Sequence, residues 1–401
     1  MKLLNTEIKN KVLQSMMKII DKQRANIIAA NKEDLEAFTK DDRALYDRLI
    51  VDNAKINGMI NAIEEVKNQE DPVNQIISST TLNSGLKIEN KSAPFGTIMI
   101  IYESRPDVTI EAAVLAFKAN SKILLKGGKE AINSNLILEK CWHQALEENN
   151  LSKDWIKLLH LKREETQEFL KNPPEKIDLI VPRGGERLIK FVKDHATCAV
   201  LISGRGNNFL YVSKNADWLK SVKVIINAKT DKISGCNALD KVLIDKNIPE
   251  YEKKVKELKT ILNKLDVDLV VDEKISKLLP NENKILSQSI WYEEFLAMKL
   301  LIAEVDNEDN AIDMINTFSG GHSASIITEN KIQAEKFMQQ VDSAAVYHNA
   351  STRFTDGGQM GVGAELAIST DKLHHRGPLG LKQLVTNKYY VFGDGHIRTN
   401  I

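Results

Sequence analysis

The feature that most constrains this chain is the alternation of short, uniformly apolar runs with stretches of helical periodicity. From about residue 96 the runs are GTIMIIY, SKILLKGG, IKLLHL, IDLIVPRGG and CAVLISG. After Cys236 a second set follows: DKVLID, VDLVVD, MKLLIAEV, SASIIT and SAAVYHN. Strands that are apolar on both faces are typical of parallel sheets covered by helices. The sequence therefore predicts an α/β protein with two doubly wound units.

The two ends of the chain follow other patterns. Residues 1 to about 80 are predicted to be helical, because apolar residues such as Leu4, Leu13 and Met16 recur at three- and four-residue spacing. The last residues, TNKYYVFGDGHIR, alternate like a strand, and GLKIENKSAP is a matching partner for it. Because a short apolar edge strand is unstable alone, we expect a homo-oligomer in which this strand pairs with a neighbouring subunit.

Composition excludes several classes of partner. Lys plus Arg and Asp plus Glu number 55 each, so the zero net charge indicates neither nucleic acid nor an anionic membrane. The charged N-terminus is unlike a signal peptide, and no run approaches the roughly 18 apolar residues of a membrane span. The three cysteines, Cys141, Cys198 and Cys236, are far apart. Their number and spacing argue against disulfides and Cys-based zinc, and favour a reducing cytoplasm.

Two glycine turns follow predicted strands. Gly184 and Gly185 lie between IDLIVPR and a helical stretch, and Lys126 precedes a second glycine pair. A strand, a glycine turn and a helix expose backbone N–H groups that suit phosphate, although glycine in such a loop often serves only to turn the chain. Neither turn has the G-x-G-x-x-G pattern of the Rossmann fingerprint.

Cys236 is the candidate nucleophile. It lies in NAKTDKISGCNALDKVLID among small and polar residues, where Asn237 and the following N–H groups could activate the thiol or bind an oxyanion. The alternative is a buried cysteine that packs as a small apolar residue. Cys141, beside a tryptophan on a helix, and Cys198, at the start of an apolar run, are predicted to be structural.

The segment HNASTRFTDGGQMGVGAELAISTDKLHHRGPLG combines glycines with charged residues, which are Arg353, Asp356, Glu365 and Arg376. Long loops with polar side chains are usually functional, and arginines of this kind suit an anionic substrate. The alternative is a solvated crossover between domains in which Arg353 pairs with Asp356 or Glu365 as an internal ion pair. Arg105, in IYESRPDV, is a second candidate. The histidines match no metal-binding signature, so no metal site is predicted.

Together these blocks resemble the gamma-glutamyl phosphate reductase (glutamate-5-semialdehyde dehydrogenase) branch of the aldehyde dehydrogenase superfamily. The resemblance covers nearly the whole chain, and NASTRFTDGG and RGP are specific to this branch. It implies an aldehyde dehydrogenase-like fold of two doubly wound parallel-sheet domains plus a small oligomerisation flap. The implied ranges are 1–225 with 363–384 for the nucleotide-binding domain, 226–362 for the catalytic domain, and 84–95 with 385–401 for the flap.

The resemblance also implies a reaction and a set of site residues. NADPH would reduce L-glutamyl 5-phosphate to L-glutamate 5-semialdehyde and phosphate in proline biosynthesis, with a glutamate 5-kinase as a possible partner. The implied catalytic residues are Cys236, which would form a thioester, and its neighbour Asn237. The implied substrate residues are Ser104, Arg105 and Arg353. The implied NADP(H) residues are Lys126, Arg183, Gly184, Gly185 and Glu294.

The chain departs from the family pattern at two positions on the segment ISGRGNNFLYV. Ile202 replaces a glutamate and Phe209 replaces a histidine, while Ser104 stands where hydrolytic relatives keep an oxyanion-hole asparagine. Loss of the glutamate removes the base that a hydrolytic dehydrogenase needs to activate water. Two alternatives remain open: another dehydrogenase that oxidises a free aldehyde, and a nucleotide-binding homologue with impaired catalysis.

Overall fold

The computed structural model describes residues 2–40 and 42–398, and it divides into two compact units. The first unit contains residues up to Ile202, together with Val362–Ala367 and the residues from Leu379 onward. The second unit contains Ser203–Gly361 and Ile368–Pro378. The boundary between the two compact units, after Ile202, therefore lies before the boundary at residue 225 that the sequence predicts. The functional domain boundaries stay a prediction.

Helices and strands alternate as the apolar runs predict. The helices are α1 Thr6–Lys22, α2 Arg24–Glu36, α3 Arg43–Leu49, α4 Asn53–Asn68, α5 Pro106–Lys118, α6 Ile132–Glu148, α7 Arg163–Lys171, α8 Glu186–His195, α9 Trp218–Thr230, α10 Tyr251–Asn263, α11 Glu273–Ser276, α12 Glu308–Phe318 and α13 Lys331–Gln340. The strands are β1 Ile76–Thr81, β2 Lys87–Pro94, β3 Thr97–Tyr102, β4 Lys122–Lys126, β5 Ile156–Leu158, β6 Leu179–Arg183, β7 Asn208–Val212, β8 Leu239–Asp245, β9 Asp268–Val271, β10 Asn283–Lys284, β11 Lys299–Val305, β12 Ser323–Ile327, β13 Ala345–His348, β14 Glu365–Ser369, β15 Gly377–Gly380 and β16 Val385–Phe392.

The N-terminal helices form as their periodicity predicts. Asn5 caps α1 by accepting a hydrogen bond from the Ile8 N–H, which satisfies one of the free donors at the helix start. Leu13 and Met16 are fully buried on the face of α1 that joins the core of the first unit. The apolar stripe, more than intrinsic propensity, therefore fixes this helix.

The central sheet of the first unit is parallel, with the strand order β5-β4-β3-β6. The chain proceeds from β3 to β4 and β5 on one side and then returns to place β6 on the other side of β3. The strand order thus reverses between β3 and β6, and in open α/β sheets such a switch point is where ligands bind, at the carboxyl ends of the strands.

One predicted strand of this unit does not form. CAVLISG makes only an isolated bridge, between Val200 and Ile180. The run is apolar because Val200 and Cys198 pack against the cluster beside β6, and apolar packing alone does not require a continuous ladder. The short strand β1 was not predicted, since IISSTT is exposed along its whole length and shows no apolar alternation.

The sheet of the second unit is also parallel, in the order β10-β9-β11-β8-β7-β12-β13. Its strands β7, β8 and β12 are buried from end to end. The loops that precede β7, β8 and β12 lie at the amino edge of this sheet, since all three strands run in the same direction.

The predicted partnership of the C-terminal strand is confirmed. β16 pairs antiparallel with β2 from Val385 opposite Pro94 to Phe392 opposite Lys87, and β1 adds to the other side of β2. Both β1 and β16 are edge strands of this sheet.

No helix among the described residues has the length and apolar character needed to cross a membrane.

Candidate active site

The carboxyl edge of the first-unit sheet gathers the loops that the sequence singled out. β3 is followed by Glu103 and Ser104, β4 ends at Lys126 before a glycine pair, and β6 ends at Arg183 before Gly184. A Cβ on Gly184 would lie 2.8 Å from the Glu103 carboxyl group, so these loops are in direct contact. The predicted cofactor residues other than Glu294 thus lie at strand ends or in the loops that follow them, at one edge of one sheet.

Gly185 stands at the start of α8 with open space where a side chain would be. Its N–H donates to a carboxylate oxygen of Glu103 at 3.3 Å. Helix N-termini favour negative charge, because their first N–H groups have no partner within the helix. The chain itself therefore supplies an anion to this helix terminus.

Arg183 and Lys126 lie deeper in this edge than the glycines do. Burial, the largest cause, lowers the pKa of both side chains. The Lys126 ammonium donates to the Gly127 carbonyl at 2.8 Å. One guanidinium nitrogen of Arg183, Nη1, is buried without a hydrogen-bond partner among the described residues. A buried cationic donor without a hydrogen-bond partner is a candidate ligand contact, because such groups are costly to leave unpaired.

Arg105 and Ser104 follow β3 directly. Arg105 pairs with Asp107 at 3.0 Å, and Lys55 approaches the same carboxylate at 3.3 Å. Burial alone would raise the pKa of Asp107, but the two cations outweigh it and the net shift is downward. Ser104 has a φ of +22° and a buried hydroxyl without a partner in the described part of the chain. Backbone strain and an orphaned hydroxyl are both common where a ligand completes the site.

In the second unit, Cys236 lies on the loop between α9 and β8, at the amino edge of the sheet. The Asn208 side-chain amide donates to the Cys236 carbonyl at 2.8 Å. The same amide nitrogen also lies within hydrogen-bond distance of the carbonyls of Gly206 and Ala238. A Cβ on Gly206 would overlap the Cys236 carbonyl group. The backbone of the candidate nucleophile is therefore held by close packing, while its side chain is only half-buried.

The structure brings the loop that contains Asn237 and the loop that contains Arg353 into direct contact. The Asn237 amide nitrogen donates to the carbonyls of Arg353, at 3.1 Å, and Thr355, at 2.9 Å. In return, the Thr352 hydroxyl donates to the Asn237 carbonyl at 2.8 Å. Asn237 thus joins the glycine-rich segment to the loop of residues 231–238 that contains Cys236, here called the nucleophile loop. The side-chain amide oxygen of Asn237, Oδ1, is buried without a hydrogen-bond partner among the described residues.

The Arg353 side chain extends back over the nucleophile loop. Its Nε donates to Asp231 at 3.0 Å, and a Cβ on Gly235 would be 2.9 Å from its Nη1. The sequence predicts Asp356 or Glu365 as the ion-pair partner of Arg353, but the acid with which it pairs is Asp231, at the end of α9. The Nη1 donor of the guanidinium therefore lies beside Gly235, the residue that precedes Cys236.

Glu294 is an acidic residue of the second unit that lies close to the nucleophile loop through Gly206. Burial and repulsion by Asp240 raise the pKa of Glu294 to about 7, while a hydrogen bond from the Gly206 N–H opposes that rise. Gly206 packs on Cys236, so Glu294 and the nucleophile share one neighbour. A carboxyl group that titrates near neutrality is typical of functional sites.

The other cysteines have different surroundings. Burial raises the pKa of Cys141, on α6, to about 12 and also raises that of Cys198. A thiol of this kind is a poor nucleophile, because the thiolate is the reactive form. The described residues contain no cluster of three or more His, Cys, Asp or Glu side chains suited to a metal ion.

Sequence reasoning missed Asn208, Gly206 and Asp231, which hold the nucleophile loop and Arg353. It also missed Asp240 and Lys241, two charged residues inside the fully buried strand β8. The signal for this last pair was present in DKVLID. Adjacent strand residues point to opposite faces, so a buried strand with adjacent opposite charges must satisfy them internally.

Comparison with known proteins identifies relatives over the full length. Residues 285–365 match the aldehyde dehydrogenase family. The chain is 40% identical to a gamma-glutamyl phosphate reductase of Persephonella marina, over 99% of this chain and 91% of that protein. The crystal structure of gamma-glutamyl phosphate reductase from Thermotoga maritima is 40% identical, covers 99% of this chain and 95% of its own, and superposes with a TM-score of 0.95.

More distant structures share the fold alone. A glyceraldehyde-3-phosphate dehydrogenase from Methanocaldococcus jannaschii, complexed with NADP, is 18% identical and superposes with a TM-score of 0.66, over 98% of this chain and 91% of its own. The aldehyde dehydrogenase-like α/β fold predicted from the sequence is therefore confirmed.

Proposed function

The chain belongs to the gamma-glutamyl phosphate reductase family of the aldehyde dehydrogenase superfamily, and from this premise we propose its chemistry residue by residue. Its activity is the reduction of glutamyl phosphate in proline biosynthesis. We propose that NADPH is the reductant, that the products are L-glutamate 5-semialdehyde and phosphate, and that the substrate is held as a thioester on Cys236.

The thiolate of Cys236 attacks the acyl carbon, so that a carbon–sulfur bond forms while the bond from carbon to the phosphate oxygen breaks. Phosphate is a good leaving group and needs little help from a general acid. The half-buried side chain of Cys236 supports this role, because the nucleophile must be reachable, whereas Cys141 is buried and held as a thiol. When aldehyde is released, the sulfur leaves as thiolate and the enzyme is restored.

The first-unit edge fits a dinucleotide. Open space at Gly185, the unpaired nitrogen of Arg183 and the switch point between β3 and β6 are features that a phosphate-bearing ligand would use. Lys126, Arg183, Gly184 and Gly185 would hold the cofactor there, and Glu294 would accept from ribose hydroxyls. When bound, NADPH supplies the hydride that reduces the thioester.

Substrate anions are assigned to Arg353 and Arg105. Each guanidinium is a planar fork of donors that suits carboxylate or phosphate. Arg353 supports this role best, because its ion pair with Asp231 fixes it over the loop of Cys236. Ser104, with its orphaned hydroxyl, is assigned as a further hydrogen-bond donor to substrate.

No step of this reaction requires an activated water. A hydrolytic aldehyde dehydrogenase needs a general base, and the aliphatic side chain of Ile202 cannot supply one. The proposal therefore predicts phosphate as the acyl acceptor when the reaction runs backwards.

The single observation that carries the proposal is the placement of Cys236, Asn237 and Arg353 on two loops joined by direct hydrogen bonds. The test is NADP reduction with glutamate 5-semialdehyde, with and without phosphate, by the wild type and Cys236→Ala. We expect activity only with phosphate and only with Cys236. Equal rates without phosphate would indicate a hydrolytic dehydrogenase, and no activity in the wild type would indicate an impaired homologue.

We also propose a homo-oligomer joined through the sheet β1-β2-β16. Both edge strands are available, and β16 exposes Tyr389, Val391 and Phe392. Unpaired edges with apolar side chains favour pairing with another copy. Light scattering at micromolar concentration should give a mass of two chains or more, whereas the mass of one chain would refute this assembly.

A further inference from the structure

Three charged side chains lie buried beneath the nucleophile loop. Lys229, near the end of α9, and Lys241, on β8, have no exposed surface, and Asp240 has 2%. Burying a charge is costly unless it is paired and hydrogen-bonded. These buried charges of the second unit therefore need specific hydrogen-bonding partners. Asp240 and Lys241, both on β8, have partners outside that strand.

Asp240 binds on two sides. One carboxylate oxygen accepts from the Lys229 ammonium at 3.1 Å, and the other accepts from the backbone N–H of Phe295 at 3.1 Å. Lys229 also donates to the Leu239 carbonyl at 2.9 Å, which fixes it to the start of β8. Asp240 thus couples β8 to the segment that contains Glu294.

Lys241 binds the same segment from the opposite face of β8. Its ammonium donates to the backbone carbonyl of Glu293 and lies 4.0 Å from the centroid of the Phe295 ring. The Glu293 carbonyl and the Phe295 N–H belong to the two peptide groups on either side of Glu294. Adjacent residues of one strand therefore fix both peptide groups that flank this carboxylate.

Glu294 itself is held lightly. Its carboxylate accepts from the Gly206 N–H, and the charges of Arg205 and Lys241 attract it without a salt bridge among the described residues. Leu296, two residues further along the chain, has a φ of +48°. A residue other than glycine rarely adopts such a φ, and it does so when the surrounding structure imposes it. The orientation of Glu294 consequently depends on its backbone anchors more than on contacts of its side chain.

We propose that Asp240 and Lys241 are positioning residues that hold Glu294 for the ribose hydroxyls of the nicotinamide nucleotide. The inference rests on the proposed function of Glu294. Since β8 begins just after Cys236, one strand sets the positions of both the nucleophile and the cofactor-binding carboxylate. Buried charges rather than apolar residues serve here, because only hydrogen-bonding side chains can fix peptide groups in a chosen orientation.

The test is equilibrium binding of NADPH, followed by its fluorescence, in Lys241→Met, Asp240→Asn and Glu294→Gln. We expect each to weaken binding about five- to tenfold, and Lys241→Gln, which keeps a donor for the Glu293 carbonyl, to weaken it less. KM for NADPH should rise while KM for glutamyl phosphate stays within twofold. Lys299→Met is the matched control, because Lys299 lies 4.5 Å from the same ring but donates to no backbone group of 293–295 among the described residues.

A double-mutant cycle separates positioning from general destabilisation. If Lys241 acts through Glu294, adding Lys241→Met to Glu294→Gln should weaken binding less than twofold further. Fully multiplicative losses, or unchanged binding in both Lys241→Met and Asp240→Asn, would overturn the inference while leaving Glu294 as a cofactor residue. Unchanged binding in Glu294→Gln would instead refute the proposed contact itself, and the inference with it.

Discussion

Glycine serves opposite purposes at the two sheet edges to which the proposed site is assigned. At the carboxyl edge of the first unit, Gly185 borders open space, so its backbone is accessible to a ligand. At the amino edge of the second unit, Gly206 packs against the Cys236 carbonyl and Gly320 against that of Arg205, where no side chain fits. The difference teaches that a glycine-rich loop can mark either a place kept free for a ligand or a place where backbones must touch.

The largest effect is expected for Gly206→Ala. Its Cβ would overlap the backbone of Cys236, and neither partner is a flexible side chain. We expect kcat/KM to fall at least a hundredfold and the melting temperature to drop, since a displaced nucleophile misaligns the reaction and overpacking typically costs about 1–3 kcal/mol. Steady-state kinetics and thermal unfolding measure both. Near wild-type values would show that the close packing is not required.

Arg353→Lys comes next. Loss of a bidentate contact to an anion should cost roughly 2–4 kcal/mol, or about 30- to 1,000-fold in kcat/KM, because an ammonium cannot reproduce the fork. Asp231→Asn is the control, since it removes the ion pair without removing the guanidinium. If Asp231→Asn lowers kcat/KM as much as Arg353→Lys does, the fixed geometry of the pair matters. A lowered melting temperature with normal kinetics in Arg353→Lys would exclude substrate binding.

The pH dependence of NADPH affinity follows from Glu294. Its pKa of about 7 lies above the ordinary value, so the carboxyl group is largely protonated below neutrality. Only the ionised form is a pure acceptor for ribose hydroxyls, so affinity should fall as the pH drops, by up to about tenfold at pH 6. The same shift destabilises the fold progressively as pH rises from 4.5 to about 7, and Glu294→Gln should abolish both effects. A titration of NADPH that is flat between pH 6 and 8 would contradict this assignment.

The smallest effect is expected for Gly185→Ala. Nothing lies within 4 Å of the added carbon, so the melting temperature should change little. If a cofactor phosphate approaches this backbone, the methyl group should weaken NADPH binding severalfold. Unaltered NADPH affinity together with unaltered stability would show that the cofactor does not approach this turn. Gly185 would then no longer be an example of a glycine kept free for a ligand.

The pattern of the sequence predicted the architecture well, because strands buried on both faces and helices between them leave a direct trace in apolar runs. It also singled out Cys236 as the candidate nucleophile, because its small polar surroundings differ from those of Cys141, and that role stays a prediction. The anchors of Glu294 could not be found in this way. Asp240 and Lys241 bind a segment more than 50 residues away, and such pairing is decided by the fold rather than by local pattern.

The central claim is that Cys236 carries the substrate as a thioester. The direct measurement is to generate glutamyl phosphate in the presence of the enzyme without NADPH, quench with acid, and map the modified peptide by mass spectrometry. Wild type, Cys141→Ala and Cys198→Ala should each carry a glutamyl group on Cys236 and release one equivalent of phosphate, and NADPH added before the quench should discharge it. Phosphate release without an adduct, or an adduct that persists in Cys236→Ala, would contradict the account.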